Sequence, residues 1–250
     1  MRPCSAVILA AGMGTRLRSI GHQGPKGALV LHQRAIIEDS IDRLSQAGIA
    51  RVTIVTGYQS EYYAALARSR PETIQLVHNP EYANSGSMYS LYLARQEVDG
   101  DFLLLESDLI YEQRALTTLL QHPADNVLLL SGATGAGDEV YVAADIQQRL
   151  LAMSKRRQDL GAGIAGELVG ITKVSSTLME AMCGYAEACF AANDSLRLDY
   201  ETDAMVAAAA SVPVQCVTVA DLLWSEIDDE THYRRASEID RSIRAKDLSD

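Results

Sequence analysis

Residues 10–17 read AAGMGTRL and residues 25–27 read PKG, so small side chains, an arginine and a lysine follow directly on an apolar run. Small residues let backbone N–H groups approach phosphate oxygens. Arg16 and Lys26 add fixed positive charge in a chain whose net charge is −11. The combination suits a polyphosphate. It is not a Walker A loop, because Lys26 follows proline and precedes glycine, with no serine or threonine after it. Nor is it a dinucleotide fingerprint: Leu17 stands where the third glycine belongs, and the run ending at Thr56 and Gly57 offers no ribose-binding acid.

Two acidic segments lie far downstream. In LLLESDLIYE, residues 103–112, Asp108 is expected to emerge from an apolar strand at the edge of the sheet that carries the glycine loop. In WSEIDDETHYRRA, residues 224–236, Glu226 and Asp228 occupy alternate positions of a short strand and face one side, while Asp229 is placed to cap the helix that follows. A hard oxygen ligand at Asp108 suits magnesium.

The elements that must carry these groups follow from periodicity. Short β-branched runs at 5–9, 51–56, 73–78, 101–106 and 126–130 alternate with amphipathic segments, the pattern of a mostly parallel sheet with helices on both faces. Ile37, Ile41, Leu44 and Gly48 form one buried helical stripe, and further helices are expected over 60–68, 87–97 and 111–121. From Asp138 to Ser175 the pattern changes to antiparallel strands at 140–144, 150–154 and 168–174 with a glycine-rich turn over 161–166. Helices at 177–191 and 200–210, a strand at 214–219 and a charged helix beyond Asp229 complete the chain. The fold class is therefore α/β, a Rossmann-like α/β/α sandwich with a mostly parallel mixed sheet. It is read as one domain over 1–250 with a small acceptor-side β insertion at about 133–200.

Composition narrows the function. With 22 basic against 33 acidic residues there is no footprint for nucleic acid. Four cysteines without CxxC spacing and five scattered histidines suggest neither zinc nor a disulfide framework, and a reducing cytoplasm is expected. Arg2 before the run 6–11 mimics a signal peptide but flows into the glycine loop, and no apolar stretch approaches the roughly 20 residues of a membrane span. A soluble protein without membrane partners is expected.

The loop, the PK dipeptide and the two acidic segments resemble the nucleotidyltransferase superfamily that activates sugar phosphates and related alcohols. That resemblance implies that Leu9, Ala10, Ala11, Gly12, Met13, Gly14 and Thr15 wrap the nucleotide together with Ser107. It implies that Arg16 holds the pyrophosphate portion, that Lys26 contacts phosphates at the reaction centre, and that Asp108 and Asp228, with Glu226, hold Mg2+. NPEYANSGSMYSLYLAR, residues 79–95, and GELVGITKVS, residues 166–175, look more like the cytidylyltransferases acting on phosphocholine or 2-aminoethylphosphonate. Where relatives carry an Asn-rich turn this chain has Ser85, Gly86 and Ser87, which with Ser90 are expected to meet cytosine or to cap the following helix.

The resemblance implies a CTP-dependent transfer of CMP to a small phosphonate or phosphate ester with release of pyrophosphate. Such an acceptor is ionised near neutrality, so no general base is needed, and Lys155, in the basic run at 154–157, is similar in position to a lysine that grips the acceptor in relatives. Tyr141, Asp199, Tyr200 and Glu201 are read as the acceptor pocket. Carboxylates suit a primary ammonium, whereas a trimethylammonium wants several aromatic faces. With one tryptophan and two phenylalanines in the chain, 2-aminoethylphosphonate is preferred to phosphocholine. A sugar-1-phosphate nucleotidyltransferase and a non-catalytic nucleotide-binding regulator are the rival readings, and a homodimer is left open.

Overall fold

A computed structural model of the chain describes residues 3–20, 22–137, 139–161 and 163–248; Arg2 and Asp138, which entered the sequence reading, lie outside the described residues, as does Ala162 within the glycine-rich turn. The strands among the described residues are β1 Ser5–Ala10, β2 Val30–Leu31, β3 Arg34–Ala35, β4 Arg51–Thr56, β5 Ile74–His78, β6 Phe102–Glu106, β7 Leu109–Tyr111, β8 Val127–Ser131, β9 Tyr141–Ala144, β10 Leu150–Ser154, β11 Ile164–Val174, β12 Gln215–Val219 and β13 Trp224–Glu226. The α-helices among the described residues are α1 Ile36–Gln46, α2 Ser60–Ser69, α3 Ser87–Ala94, α4 Arg114–Gln121, α5 Ser176–Asn193, α6 Val206–Ala209 and α7 Glu230–Asp247.

Nine strands form one sheet in the order β10-β9-β11-β6-β1-β4-β5, with β8 and then β12 joined through β11. The pairs of β1 with β4 and β6, of β4 with β5 and of β12 with β8 are parallel; those of β11 with β6, β8 and β9 are antiparallel. Burial on both faces explains the continuous apolar runs. Along β1, Ala6, Ile8 and Ala10 enter the core shared with α1 and α4, while Val7 enters the one shared with α3 and α5. A third cluster, including Leu17, Leu29, Ile36, Ile227 and Ala236, packs α7 over the segment that follows the glycine loop.

The strands of the expected insertion, β9, β10 and β11, lie in this main sheet. Strand β11 starts at Ile164, so the glycine-rich turn is shorter than its composition suggests. Tyr111, expected to open a helix, ends β7 because it pairs with Trp224 of β13, and α4 starts at Arg114. The helix expected over 200–210 opens as a π-helical turn, Tyr200–Met205, before α6. Asp228 lies past the end of β13; its register comes from Ile227, whose N–H donates to the Asp108 carbonyl at 3.0 Å. Among the described residues no helix is long and apolar enough to cross a membrane.

Candidate active site

The carboxyl ends of β1 and β6 open into a cavity of about 610 Å³, where an open α/β sheet presents its ligands. Leu9, Ala11, Gly12, Arg16 and Lys26 line one side of it. Gly14 has φ +55°, and a Cβ there would fall 2.9 Å from the Lys26 Cγ, so the glycine both makes the turn and admits the lysine stem. Gly12 has open space where a side chain would stand. Ala10, Met13, Gly14 and Thr15 are in the loop but do not line the cavity.

The two distant acidic segments meet on Lys26. Its ammonium lies 2.5 Å from Asp108 Oδ2 and also donates to Asp228 Oδ1. The Arg16 guanidinium, on a largely exposed side chain, reaches Asp228 at 2.7 Å. The parallel pairing of β1 with β6 places the loop and Asp108 at one edge, and the pairing of β13 with β7 carries Asp228 to the same place. Burial alone would lower the Lys26 pKa, but the charges of Asp108 and Asp228 outweigh it and raise it, so the lysine is a permanent cation.

Carboxylate oxygens of Asp108, Glu226 and Asp228 lie within 4.8 Å of one another. An all-oxygen set of this kind fits a hard divalent cation, and an ammonium clamped between two of the three shows that the position favours positive charge. Burial, a hydrogen bond with Asp228 and the charge of Asp108 push the Glu226 pKa well up.

Beyond this cluster the cavity is acidic again. Tyr200 on the π-helical turn donates to Glu106 Oε1 at 2.8 Å, and Ser87 donates to Glu201 at 3.4 Å while accepting from the Tyr200 N–H at 2.9 Å. Burial, then Asp108 and Glu201, raise the Glu106 pKa; burial and Asp199 raise that of Glu201. Gly170, at φ +78° in the irregular middle of β11, suits this packing, since a side chain would be strained there and its Cβ would lie 3.1 Å from the Glu106 carboxylate. Lys155, Asp199, Tyr200 and Glu201 all line the cavity; Tyr141 does not, and its hydroxyl turns to Glu139 at 3.3 Å.

At the expected base-binding end, Ser85, Gly86, Ser87 and Ser90 line the cavity. The Gly86 N–H is committed to the Leu196 carbonyl at 2.9 Å, and a Cβ on Gly86 would overlap the Leu198 backbone at 2.2 Å. Ser85 and Ser90 each accept from the Asn79 amide at 3.0 Å. The glycine thus docks the segment before Tyr200 onto α3, and the hydroxyls of Ser85 and Ser90 keep a donor each. Ser107 also lines the cavity.

Residues that the sequence reading passed over line it too: Glu106, Tyr82, Glu139, Glu167, His232, Trp224 and Arg235. Glu106 stands two residues before Asp108 in the same strand end, a period-two signal that was available. His232 is placed by helix capping, its N–H donating to Asp229 at 2.9 Å, and its ring contacts the Ala136 carbonyl at 3.1 Å.

A family profile described as a MobA-like NTP transferase domain matches residues 6–168. The choline-phosphate cytidylyltransferase of Streptococcus pneumoniae is 36% identical over 99 residues, 40% of this chain and 42% of that protein. The CMP-5'-(3-aminopropyl)phosphonate synthase of Streptomyces rubellomurinus is 27% identical over 244 residues, 94% of this chain and 38% of that protein. The chain thus spans less than half the length of both. The solved inositol-1-phosphate CTP transferase from T. maritima superimposes with a TM-score of 0.79 at 18% identity, covering 98% of this chain and 97% of that one, a likeness of fold.

Proposed function

The chain belongs to the family of MobA-like NTP transferase domains, and on that premise we propose that it is a cytidylyltransferase that moves CMP from CTP to a small aminoalkyl phosphonate, best 2-aminoethylphosphonate, and releases pyrophosphate. The observation that carries this reading is the convergence of Arg16, Lys26, Asp108 and Asp228 at one end of a cavity whose other end holds Lys155, Glu106 and Glu201. The first set suits a triphosphate, the second a zwitterion with an anionic head and an ammonium tail.

In the reaction a phosphonate oxygen attacks the α-phosphorus of CTP. A new P–O bond forms, the bond from the α-phosphorus to its bridging oxygen breaks, and pyrophosphate departs with the electron pair. Asp108 and Asp228, with Glu226, would hold Mg2+, which supplies charge stabilisation on the phosphates when bound. Lys26 and Lys155 bring two anions together against their repulsion, and Arg16 takes charge on the leaving pyrophosphate. The acceptor is already ionised, so no residue need remove a proton. The hydroxyls of Ser85 and Ser90 are the groups proposed to meet cytosine.

Glu201 and Glu106 are proposed to take the ammonium. Both line the cavity, and a charge-assisted hydrogen bond is worth about 1.5–3 kcal/mol. 2-Aminoethylphosphonate is therefore expected to exceed 2-hydroxyethylphosphonate in kcat/KM by about ten- to a hundredfold. Glu201→Gln should erase most of that preference. Steady-state kinetics with both compounds and phosphocholine checks this; an amine-free best substrate, or a ranking unmoved by Glu201→Gln, contradicts the amine pocket. Phosphocholine is the second reading, because Tyr82, Tyr200 and Trp224 all line the cavity and aromatic faces suit a quaternary ammonium.

A further inference from the structure

Lys26 has two sets of partners to serve. Its ammonium bonds Asp108 and Asp228, two of the three residues whose carboxylates cluster within 4.8 Å. Its stem, in contrast, lies along the glycine loop: a Cβ on Gly14 would touch the lysine Cγ at 2.9 Å and the Cδ at 3.9 Å. Lys26 therefore runs beside the loop proposed for the triphosphate and bends its charged tip to the carboxylates.

Magnesium sits about 2.0–2.1 Å from its ligands, so a cation that took Asp108 Oδ2 and Asp228 Oδ1 would compete with the ammonium for those oxygens. If the cation took the second oxygens of the carboxylates, the ammonium and the divalent ion would still repel each other across the shared carboxylates. Lysine has the flexibility to yield. The stem is anchored near Cγ, the rotatable end carries three donors, and the space beside Gly12 is open.

We propose that Lys26 is an exchangeable counter-ion of the carboxylate cluster: its ammonium and a divalent cation take Asp108 and Asp228 in turn, so that metal entry hands the lysine from the carboxylates to the nucleotide phosphates. This rests on the nucleotidyl-transfer reading. Its consequence is order. Metal alone binds weakly because it must displace a charged, hydrogen-bonded partner; metal with a triphosphate binds well because the released ammonium gains phosphate oxygens. Metal and nucleotide are then coupled through one side chain, and the coupling is reciprocal.

The test uses Mn2+ alone, with free ion measured by electron paramagnetic resonance, on the full chain. Lys26→Met and Lys26→Gln are expected to bind Mn2+ on the order of tenfold more tightly than wild type, and the Asp108→Asn/Asp228→Asn double variant to lose that binding. A second measurement needs no variant: an amine-acylating reagent, read by peptide mass spectrometry, should modify Lys26 faster when Mn2+ is present, with Lys155 and Lys173 as internal references among the four lysines. Unchanged or weaker Mn2+ affinity in both Lys26 variants, or Lys26 labelling indifferent to Mn2+, overturns the exchange. Mn2+ binding that survives in the double Asn variant overturns instead the metal-site reading beneath it. If neither Lys26 variant folds, the wild-type labelling decides.

Discussion

Asp108→Ala and Asp228→Ala are each expected to lower turnover by about a thousandfold or more, the several kcal/mol that a metal's charge supplies to a phosphoryl transition state. Both side chains are almost wholly buried, yet neither fills an apolar core. Asp108 meets Ile227 through its backbone carbonyl, which alanine keeps. The fold should therefore survive, as circular dichroism and gel filtration would report. The two losses should not be additive, since either variant breaks the same cluster. Activity that persists in EDTA, or a near wild-type rate in either variant, contradicts the metal assignment.

Lys26→Ala is expected to cost about 10²-fold or more in kcat, the scale of removing a preorganised charge donor from a transition state. It also strands two buried carboxylates opposite each other, a loss of about 3–5 kcal/mol when a buried pair is broken. The melting temperature should fall with the rate, so kcat is to be measured well below the new midpoint. Arg16→Ala should separate the two effects. Its side chain is 60% exposed and meets Asp228 from the rim, so it should lose activity, mainly through the pyrophosphate end, with little change in stability. A Lys26→Ala enzyme that melts early but turns over normally would make the lysine a structural strut.

Much of the site was legible because its parts are local. The glycine loop follows a strand whose apolar run is unmistakable, and Asp108 closes another, so the parallel pairing of β1 with β6 was enough to bring them to one edge. What was not legible depends on contacts between distant segments. Nothing near Gly86 shows that its N–H is taken by Leu196, nor that Ser87 is held by Tyr200. The π-helical turn at Tyr200–Met205 reads locally as an α-helix; widening there aims the buried Tyr200 hydroxyl at Glu106. Tyr141 donates its hydroxyl to Glu139, which lines the cavity where Tyr141 itself does not. Trp224 of β13 also lines the cavity. Tyr82, Tyr200 and Trp224 thus line one cavity, which residue counts alone do not reveal.

The central claim is nucleotidyl transfer to a phosphonate, and phosphorus NMR of one reaction mixture tests it most directly. With enzyme, CTP, Mg2+ and 2-aminoethylphosphonate, the account predicts pyrophosphate in equal amount to a product whose phosphonate phosphorus is joined through oxygen to the α-phosphorus of CMP. Absence of pyrophosphate with CTP and with each of ATP, GTP and UTP, across phosphonate and phosphate ester acceptors, would contradict it.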